Sequence, residues 1–500
     1  MRKVKYFDKN LEFFFEGTPF EIAQDLEGEV FRQYENRITK KFKVDRKSYF
    51  LKFHGAVGWK EIFKNFLQFK VPVIGAQREY DALIHLSRNN IKCPSIKGFG
   101  LKGFNPANSS SFLVTEELYD TLSLEDFFLQ GLHKNISFLD KKKLIEKVAR
   151  LIRAMHDAGL NHRDLYLCHI HINKKINFDD IDIHLIDLHR AQVRSQVPLR
   201  WLIKDLGGFM HSAIQFKLTE RDFYRFMMEY FKCSFNELDK IHRTVIKKIL
   251  KRAFTMYLKP QLKGSSLRNL KNTDNDNFLA FNEHSLSYLV NKDQEDQKEE
   301  ILKFLHDENY LINTGTVIKN EEGHLVVKVK IYGNYYFIKK YRIKGFWHGL
   351  SRLFKPTRAF NAWRATLWLN AVGIKTAEPI LLCEETGILG AKNSHFVSKS
   401  IAGQSLDSAI IEGQDSIFIV SIIEAFFKRM SWIDFEHGDA KTSNFFVNKN
   451  LIAFDLDSAN KSPQRFISRN SLSRDKTRML KSLKGYNAIF SRLSERLNRS

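Results

Sequence analysis

Residues 162–169 read HRDLYLCH and residues 437–444 read HGDAKTSN. Each places a histidine two residues before an aspartate. Each also follows a long segment with helical apolar spacing, KKLIEKVARLIRAMHDAG (142–159) and SIFIVSIIEAFFKRM (416–430). Downstream of each, a short apolar run ends on a further aspartate, Asp187 in IDIHLID and Asp455 in LIAFDLDS. Working outward, YFLKF (49–53), GAQREYDALIHL (75–86) and SFLVTEEL (111–118) precede the first motif. YFIKK (336–340), AFNAWRATLWLNAVG (359–373) and HFVSKSI (395–401) precede the second in the same order. A strand ending in lysine, a helix, a strand, a long helix and an aspartate loop thus occur twice, which predicts two copies of one two-lobed α+β unit.

The repeated groups suit phosphoryl transfer, which needs cations around phosphates and a carboxylate to receive the acceptor's proton. In the first copy Asp164 reads as the base and Asp187, emerging at a strand end, as a magnesium ligand. Lys52 reads as the phosphate-binding lysine and Glu79, on the next helix, as the acid that holds it. A lone lysine at a strand end is ordinarily a solvated edge residue, and the triplet HRD recurs by chance; it is the ordered set that carries the reading. In the second copy Asp439 is the corresponding base, Asn444 and Asp455 are metal ligands, and Lys339 is the lysine, with Lys340 as the alternative register. Counting back from GIKT (373–376) as from NIKC (90–93) puts Ala362 where the first copy has Glu79, so the second lysine lacks its acid.

Five positions after Asp164, where protein kinases carry asparagine, stands His169. With GEVFR (28–32), residues 49–83, TEEL (115–118), HRDLYLCH, LIDLHRAQVR (185–194) and KDLGGFMHSA (204–213), residues 1–265 resemble the heptose kinases of lipopolysaccharide core assembly. The resemblance implies a protein-kinase-like bilobal fold, with an antiparallel-sheet small lobe and a helical large lobe. It also implies ATP as phosphoryl donor, Mg2+, and a lipopolysaccharide core or lipid A precursor as partner. Gly28 is implied in the phosphate loop, and Glu116 and Leu118 in the nucleotide-binding segment. His169 is either a metal ligand through a neutral imidazole or a filler of the same space. A zinc site from Cys168, His169 and His171 fails on spacing, because these neighbours cannot converge on one tetrahedral ion. Residues 306–500 more weakly resemble divergent members of the same sugar-kinase superfamily, mainly over 311–458. The polar stretch 266–305, with NTDNDN and NKDQEDQKEE, reads as a linker.

The chain has 500 residues, 43% of them hydrophobic, and a formal net charge of +23, which excludes wholesale disorder and favours an anionic neighbour. Ten Lys or Arg and no acid lie between Lys240 and Lys271, with Phe254, Tyr257 and Leu258 among them. Eight and none lie between Lys339 and Arg364, beside Phe346, Trp347, Phe354 and Phe360. Such stretches suit a peripheral position at the anionic cytoplasmic face of the inner membrane, although a solvated helix face is the ordinary alternative. The segment with Trp59, Lys60, Phe63, Lys64, Phe66, Phe69 and Lys70 reads either as an acceptor or membrane contact or as a helix with buried aromatics. No nucleic-acid motif accompanies the charge, so no nucleic acid is expected. The four scattered cysteines fit reduced thiols, the N-terminus makes a poor signal peptide, and Ile417–Phe427 is too short to span a bilayer, so a cytoplasmic protein is expected. The alternatives are an aminoglycoside- or choline-type kinase sharing the HGD loop, which the first copy's loop disfavours, and a catalytically silent basic scaffold.

Overall fold

The computed structural model describes residues 2–34, 36–67, 75–103, 105, 107–216, 218–262, 278–343, 356–385, 393–461 and 471–499. The chain divides into two compact units, Met1–Ala253 and Phe254–Ser500. Strands β1 (Arg2–Tyr6), β2 (Glu29–Tyr34), β3 (Arg37–Val44), β4 (Lys47–His54), β5 (Ile96–Lys102) and β6 (Ser110–Glu116) form one sheet in the order β1-β5-β6-β4-β3-β2. All five of its pairings are antiparallel. In β4 the strand period of two sends Tyr49, Leu51 and Phe53 into a core with Leu11, Phe15 and Phe20 from around helices α1 (Lys9–Phe14) and α2 (Pro19–Asp25). Lys52 therefore faces the other way, between Thr39 of β3 and Leu113 of β6. Helices α3 (Trp59–Leu67) and α4 (Gln77–Arg88) connect β4 to β5.

The rest of the first unit is helical around short strands: β7 (Thr121–Ser123), α5 (Leu124–Leu129), α6 (Phe138–Asp157), β8 (Leu160–Asn161), β9 (Ile170–Asn173), β10 (Ile183–Leu185), β11 (Gln192–Val193), α7 (Leu199–Ile214), α8 (Glu220–Phe231) and α9 (Phe235–Ile241). Helix α6 starts where the Ser137 hydroxyl accepts from the Asp140 amide, and it buries Leu144, Val148, Ile152 and Met155 at helical spacing. Helix α10 (Arg243–Leu262) contains the division between the units.

In the second unit β12 (Phe278–Glu283), β13 (Leu286–Asn291), β14 (Thr316–Glu321), β15 (His324–Ile331), β16 (Asn334–Tyr341), β18 (Pro379–Glu385) and β19 (Ser394–Lys399) form a sheet in the order β12-β13-β18-β19-β16-β15-β14. Its run β18-β19-β16-β15-β14 repeats the run β5-β6-β4-β3-β2 of the first unit. Lys339 stands in the register of Lys52, between Val326 of β15 and Phe396 of β19. Helices α11 (Lys298–His306), α12 (Glu308–Thr314), α13 (Arg358–Ala371), α14 (Leu406–Ile411), α15 (Ser416–Trp432), α16 (Ser471–Ser482) and α17 (Asn487–Arg499) accompany the short strands β17 (Lys375–Thr376), β20 (Gln404–Ser405), β21 (Phe435–Glu436), β22 (Phe445–Val447) and β23 (Leu451–Ala453). Both units are therefore α+β with antiparallel principal sheets.

Residues 278–305, expected within a linker, instead help to build the second unit. Tyr288, Val290, Ile301, Leu302, Phe304 and Leu305 join the core with Leu325, Val327, Ile338 and Val397. The polar composition comes from the exposed turn at 283–285 and the 3-10 segment Lys292–Gln297, between apolar faces that pack inward. The basic stretches also differ from expectation. Phe254 and Leu258 are buried, as is Phe360, so these apolar side chains do not form an outward face; Phe346, Trp347 and Phe354 lie outside the described residues. Conversely, Trp59, Phe63 and Leu67 make an exposed stripe along α3, so the expectation of buried aromatics fails there; Phe69, Lys70 and the side chains of Lys64 and Phe66 lie outside the described residues. Among the described residues, no helix is long and apolar enough to cross a membrane.

Candidate active sites

In the first unit, three separate elements meet at Lys52. Its Nζ on β4 lies 2.6 Å from Glu79 Oε1 on α4 and 2.8 Å from Asp187 Oδ1, just after β10. Burial alone would lower the lysine's pKa, but the Glu79 and Asp187 carboxylates outweigh it and hold the ammonium charged well above its ordinary range. For Asp187 burial works toward a higher pKa, yet Lys52 and His189 hold it well below the usual carboxylate range. Asp187 takes the left-handed conformation, φ 59°, which turns the chain as it leaves β10. His189 Nδ1 lies 3.0 Å from Asp187 Oδ1, and its Nε2 is 3.9 Å from Asp164 Oδ2. Arg190 Nη1 donates to both Asp164 oxygens, at 2.9 and 3.1 Å.

The loop that carries Asp164 is fixed from below by Asp205 of α7, which is fully buried. Its carboxylate accepts from the amides of His162 (2.7 Å) and Arg163 (2.8 Å), holding Arg163 at φ 73°. The His169 ring packs against His162 with its Nδ1 2.7 Å from the Asp164 carbonyl, so Nδ1 donates. A neutral ring then turns its Nε2 lone pair toward Asp187 Oδ2, 3.5 Å away. Two electron pairs facing across that gap fit a divalent cation between them. Among the described residues no group of three or more His, Cys, Asp or Glu could hold a metal on its own.

Of the other residues expected to bind nucleotide, Glu116 ends β6, its carboxylate 2.8 Å from Lys97 Nζ. The Leu118 carbonyl accepts from Thr121 Oγ1, while its amide donates to nothing among the described residues. Gly28 precedes β2, at the end of the β2–β3 hairpin away from its turn. A Cβ there would come within 2.4 Å of the Lys41 carbonyl oxygen, so close backbone approach accounts for the glycine.

The second unit repeats much of this. Lys339 Nζ lies 2.8 Å from Asp455 Oδ1, while Lys340 pairs with Glu308 at 2.8 Å, which separates the two registers. Burial pushes the Asp455 carboxyl up, but Lys339, His437 and Lys441 bring it below the ordinary value. Asp455 is left-handed at φ 55°, as Asp187 is. Asn444 Nδ2 donates to the Asp439 carbonyl at 2.8 Å, the bond His169 makes to Asp164, and also to Asp439 Oδ2 at 2.9 Å. Lys441 Nζ is 3.1 Å from Asp439 Oδ2. Asp475 accepts from the amides of His437 (2.7 Å) and Gly438 (3.3 Å), as Asp205 does in the first unit. Ala362 is buried on α13 and offers no carboxylate to Lys339.

His189, Arg190, Asp205 and Asp475 were not anticipated from sequence. A signal existed for Asp205, an acid directly before the uncharged run LGGFM (206–210). Nor was Glu384 of β18 anticipated. It is buried, accepts from the Thr357 hydroxyl, and keeps Oε2 without a partner among the described residues; burial pushes its carboxyl up from 4.5 to about 7. Between those two values the unfolded chain has lost a proton that the native state retains, so this residue's contribution to stability falls as pH rises through that window. Glu384→Gln should therefore leave stability unchanged at pH 4 and add about 3 kcal/mol at pH 8. Thermal unfolding of the two proteins at both pH values checks this, and an equal shift at both would refute it.

A sequence profile described as "Lipopolysaccharide kinase (Kdo/WaaP) family" matches residues 22–230. The chain is 40% identical over 247 residues to the lipopolysaccharide core heptose(I) kinase WaaP of Escherichia coli strain K12, covering 49% of this chain and 93% of that protein. It is 39% identical over 251 residues to the protein of the same description from Pseudomonas aeruginosa strain PAO1, covering 50% of this chain and 94% of that one. A solved structure described as WaaP in complex with acyl carrier protein covers 51% of this chain and 99% of that chain, at 32% identity and a TM-score of 0.45.

Proposed function

We propose, since this chain belongs to the lipopolysaccharide kinase (Kdo/WaaP) family, that its first unit phosphorylates heptose in the lipopolysaccharide core with ATP. A member of this family is an ATP-dependent phosphotransferase acting on a sugar hydroxyl. The observation that carries the reading is Lys52 held between Glu79 and Asp187, with Asp164 joined to Asp187 through His189. In it, Lys52 neutralises the nucleotide phosphates, and the Leu118 amide and Glu116 lie along the base. A divalent cation, Mg2+ in our reading, supplies charge neutralisation at the transferring phosphoryl group when bound, and Asp187 and His169 would hold it. The heptose hydroxyl gives its proton to the Asp164 carboxylate as its oxygen bonds to the γ-phosphorus of ATP and the bond from that phosphorus to the β,γ-bridging oxygen breaks, releasing ADP. Arg190 and His189 orient that carboxylate. Mass spectrometry of core oligosaccharide from a deletion strain tests the reading, with loss of one or more phosphates from heptose as the expected result.

The metal assignment has its own test. Asp187→Asn should raise the magnesium concentration for half-maximal rate by about tenfold or more, because an amide oxygen is a weaker ligand than a carboxylate. An unchanged requirement removes Asp187 from the metal.

For the second unit we propose the same chemistry on another core sugar, with Lys339, Asp439, Asn444 and Asp455 in the matching roles. Asn444 and His169, each donating to the carbonyl of its loop aspartate, support the parallel. Peripheral association with the cytoplasmic face of the inner membrane is part of the proposal, supported by the +23 charge and the exposed Trp59, Phe63 and Leu67 stripe.

A further inference from the structure

Four cations surround one indole in the first unit. The Trp201 ring, at the start of α7, has Lys204 Nζ 4.3 Å from its centroid and the guanidinium carbons of Arg163, Arg200 and Arg194 at 4.9, 5.3 and 5.7 Å. Arg194 is used by Asn161 and Gln192. Among the described residues Arg163, Arg200 and Lys204 have no carboxylate partner, and Arg200 and Lys204 are exposed. The nearby acids are engaged elsewhere, Asp164 by Arg190 and Asp205 by the His162 and Arg163 amides and His156. Burial, followed by Arg252, Arg163, Arg190 and Arg200, lowers the Lys204 pKa, and burial, followed by Arg190 and Arg78, lowers that of Arg163. Asp164 and Asp205 act on Arg163 in the opposite sense without outweighing this, and neither forms an ion pair with it, so the gathered like charges repel and the indole compensates them weakly. A shared anion would relieve the repulsion.

We infer that Arg163, Arg200 and Lys204, gathered on Trp201 beside Asp164, bind an anionic group, carboxylate or phosphate, borne by the acceptor saccharide away from the hydroxyl that is phosphorylated. Successive contacts link Lys52 through Asp187 and His189 to Asp164 and on to Arg190, and Arg163 directly precedes Asp164 in the chain, so the cation cluster adjoins the base end of that series. Guanidinium forks match carboxylate and phosphate oxygens, and an exposed lysine adds a flexible third donor. The site would select acceptors carrying charge and set the register of the reacting hydroxyl. This inference rests on the heptose-kinase reading of the first unit.

The test compares two acceptors in the full chain: core oligosaccharide from a strain lacking this protein, and the same material with its carboxyl groups reduced and phosphates removed. Wild type should prefer the charged acceptor by about tenfold or more in kcat/KM. Arg200→Gln with Lys204→Gln should erase that preference through acceptor KM, leaving the KM for ATP and the thermal unfolding temperature unchanged. Arg200→Lys with Lys204→Arg should keep it. The inference is overturned if wild type treats the two acceptors alike, or if the double Gln variant loses equally on both; the kinase reading stands in either case. Transfer to neither acceptor removes the kinase reading and this inference together.

Discussion

Asp164→Ala in the full chain is expected to lower heptose phosphorylation by about 10²–10⁴-fold while leaving the protein folded. The residue's side chain is 15% exposed, and its carboxylate contacts Arg190 and His189 without lining a hydrophobic core. Its removal deletes the group that accepts the hydroxyl proton and releases Arg190, with no cavity left among apolar side chains. The loop should survive, because it is anchored by Asp205 through the amides of His162 and Arg163 rather than by Asp164. KM for ATP should change little, since Lys52, Glu79 and the Leu118 amide are untouched. Circular dichroism verifies the fold, and single-turnover phosphate transfer measures the effect. Residual activity within tenfold of wild type would exclude Asp164 as the base.

The line from Lys52 to Asp187 was legible in the sequence because short-range rules position each end of it. Strand parity in KSYFLKFH decides that Lys52 turns away from Tyr49, Leu51 and Phe53, and helical spacing orients Glu79 in α4. An apolar strand ending on an acid gives Asp187. His189 and Arg190 were not legible, because their contacts depend on the left-handed turn at Asp187, which hydropathy does not encode. Asp205 and Asp475 act from helices forty residues downstream of loops whose amides they cap, separations at which sequence pattern says nothing about contact. The reading of 278–305 as part of a linker failed because polar residues cluster on the exposed turns of a segment whose alternate residues, Tyr288 and Val290, are core; 266–277 lie outside the described residues. Likewise, Phe254 and Trp59 belong to aromatic-basic segments of similar composition, yet one is buried and the other exposed. Composition cannot tell which face of such a helix meets the protein.

The second unit offers the sharper separation, because among the described residues it keeps one acid beside its lysine where the first keeps two. If it is a kinase, Asp439→Ala should remove one phosphate from the core and leave in place the phosphate that depends on Asp164. An unchanged phosphate count would make it a non-catalytic unit. Lys339 reaches Asp455 at 2.8 Å, but Ala362 supplies nothing equivalent to the Glu79 contact, so the lysine is less constrained before nucleotide arrives. A lost charge-assisted contact of this kind is worth about 1–3 kcal/mol, which corresponds to roughly tenfold to a hundredfold in affinity. The full chain is the right material, since residues 278–305 belong to the second core and a cut inside them would remove Tyr288 and Ile301 from it. Lys52→Met leaves the second site to be titrated alone, and Lys339→Met the first, by calorimetry with magnesium and a non-hydrolysable ATP analogue. The affinity left in the Lys52→Met chain should be the weaker by that factor. Equal affinities would mean that another group compensates for Ala362, and no binding at all to the Lys52→Met chain would end the kinase reading of the second unit.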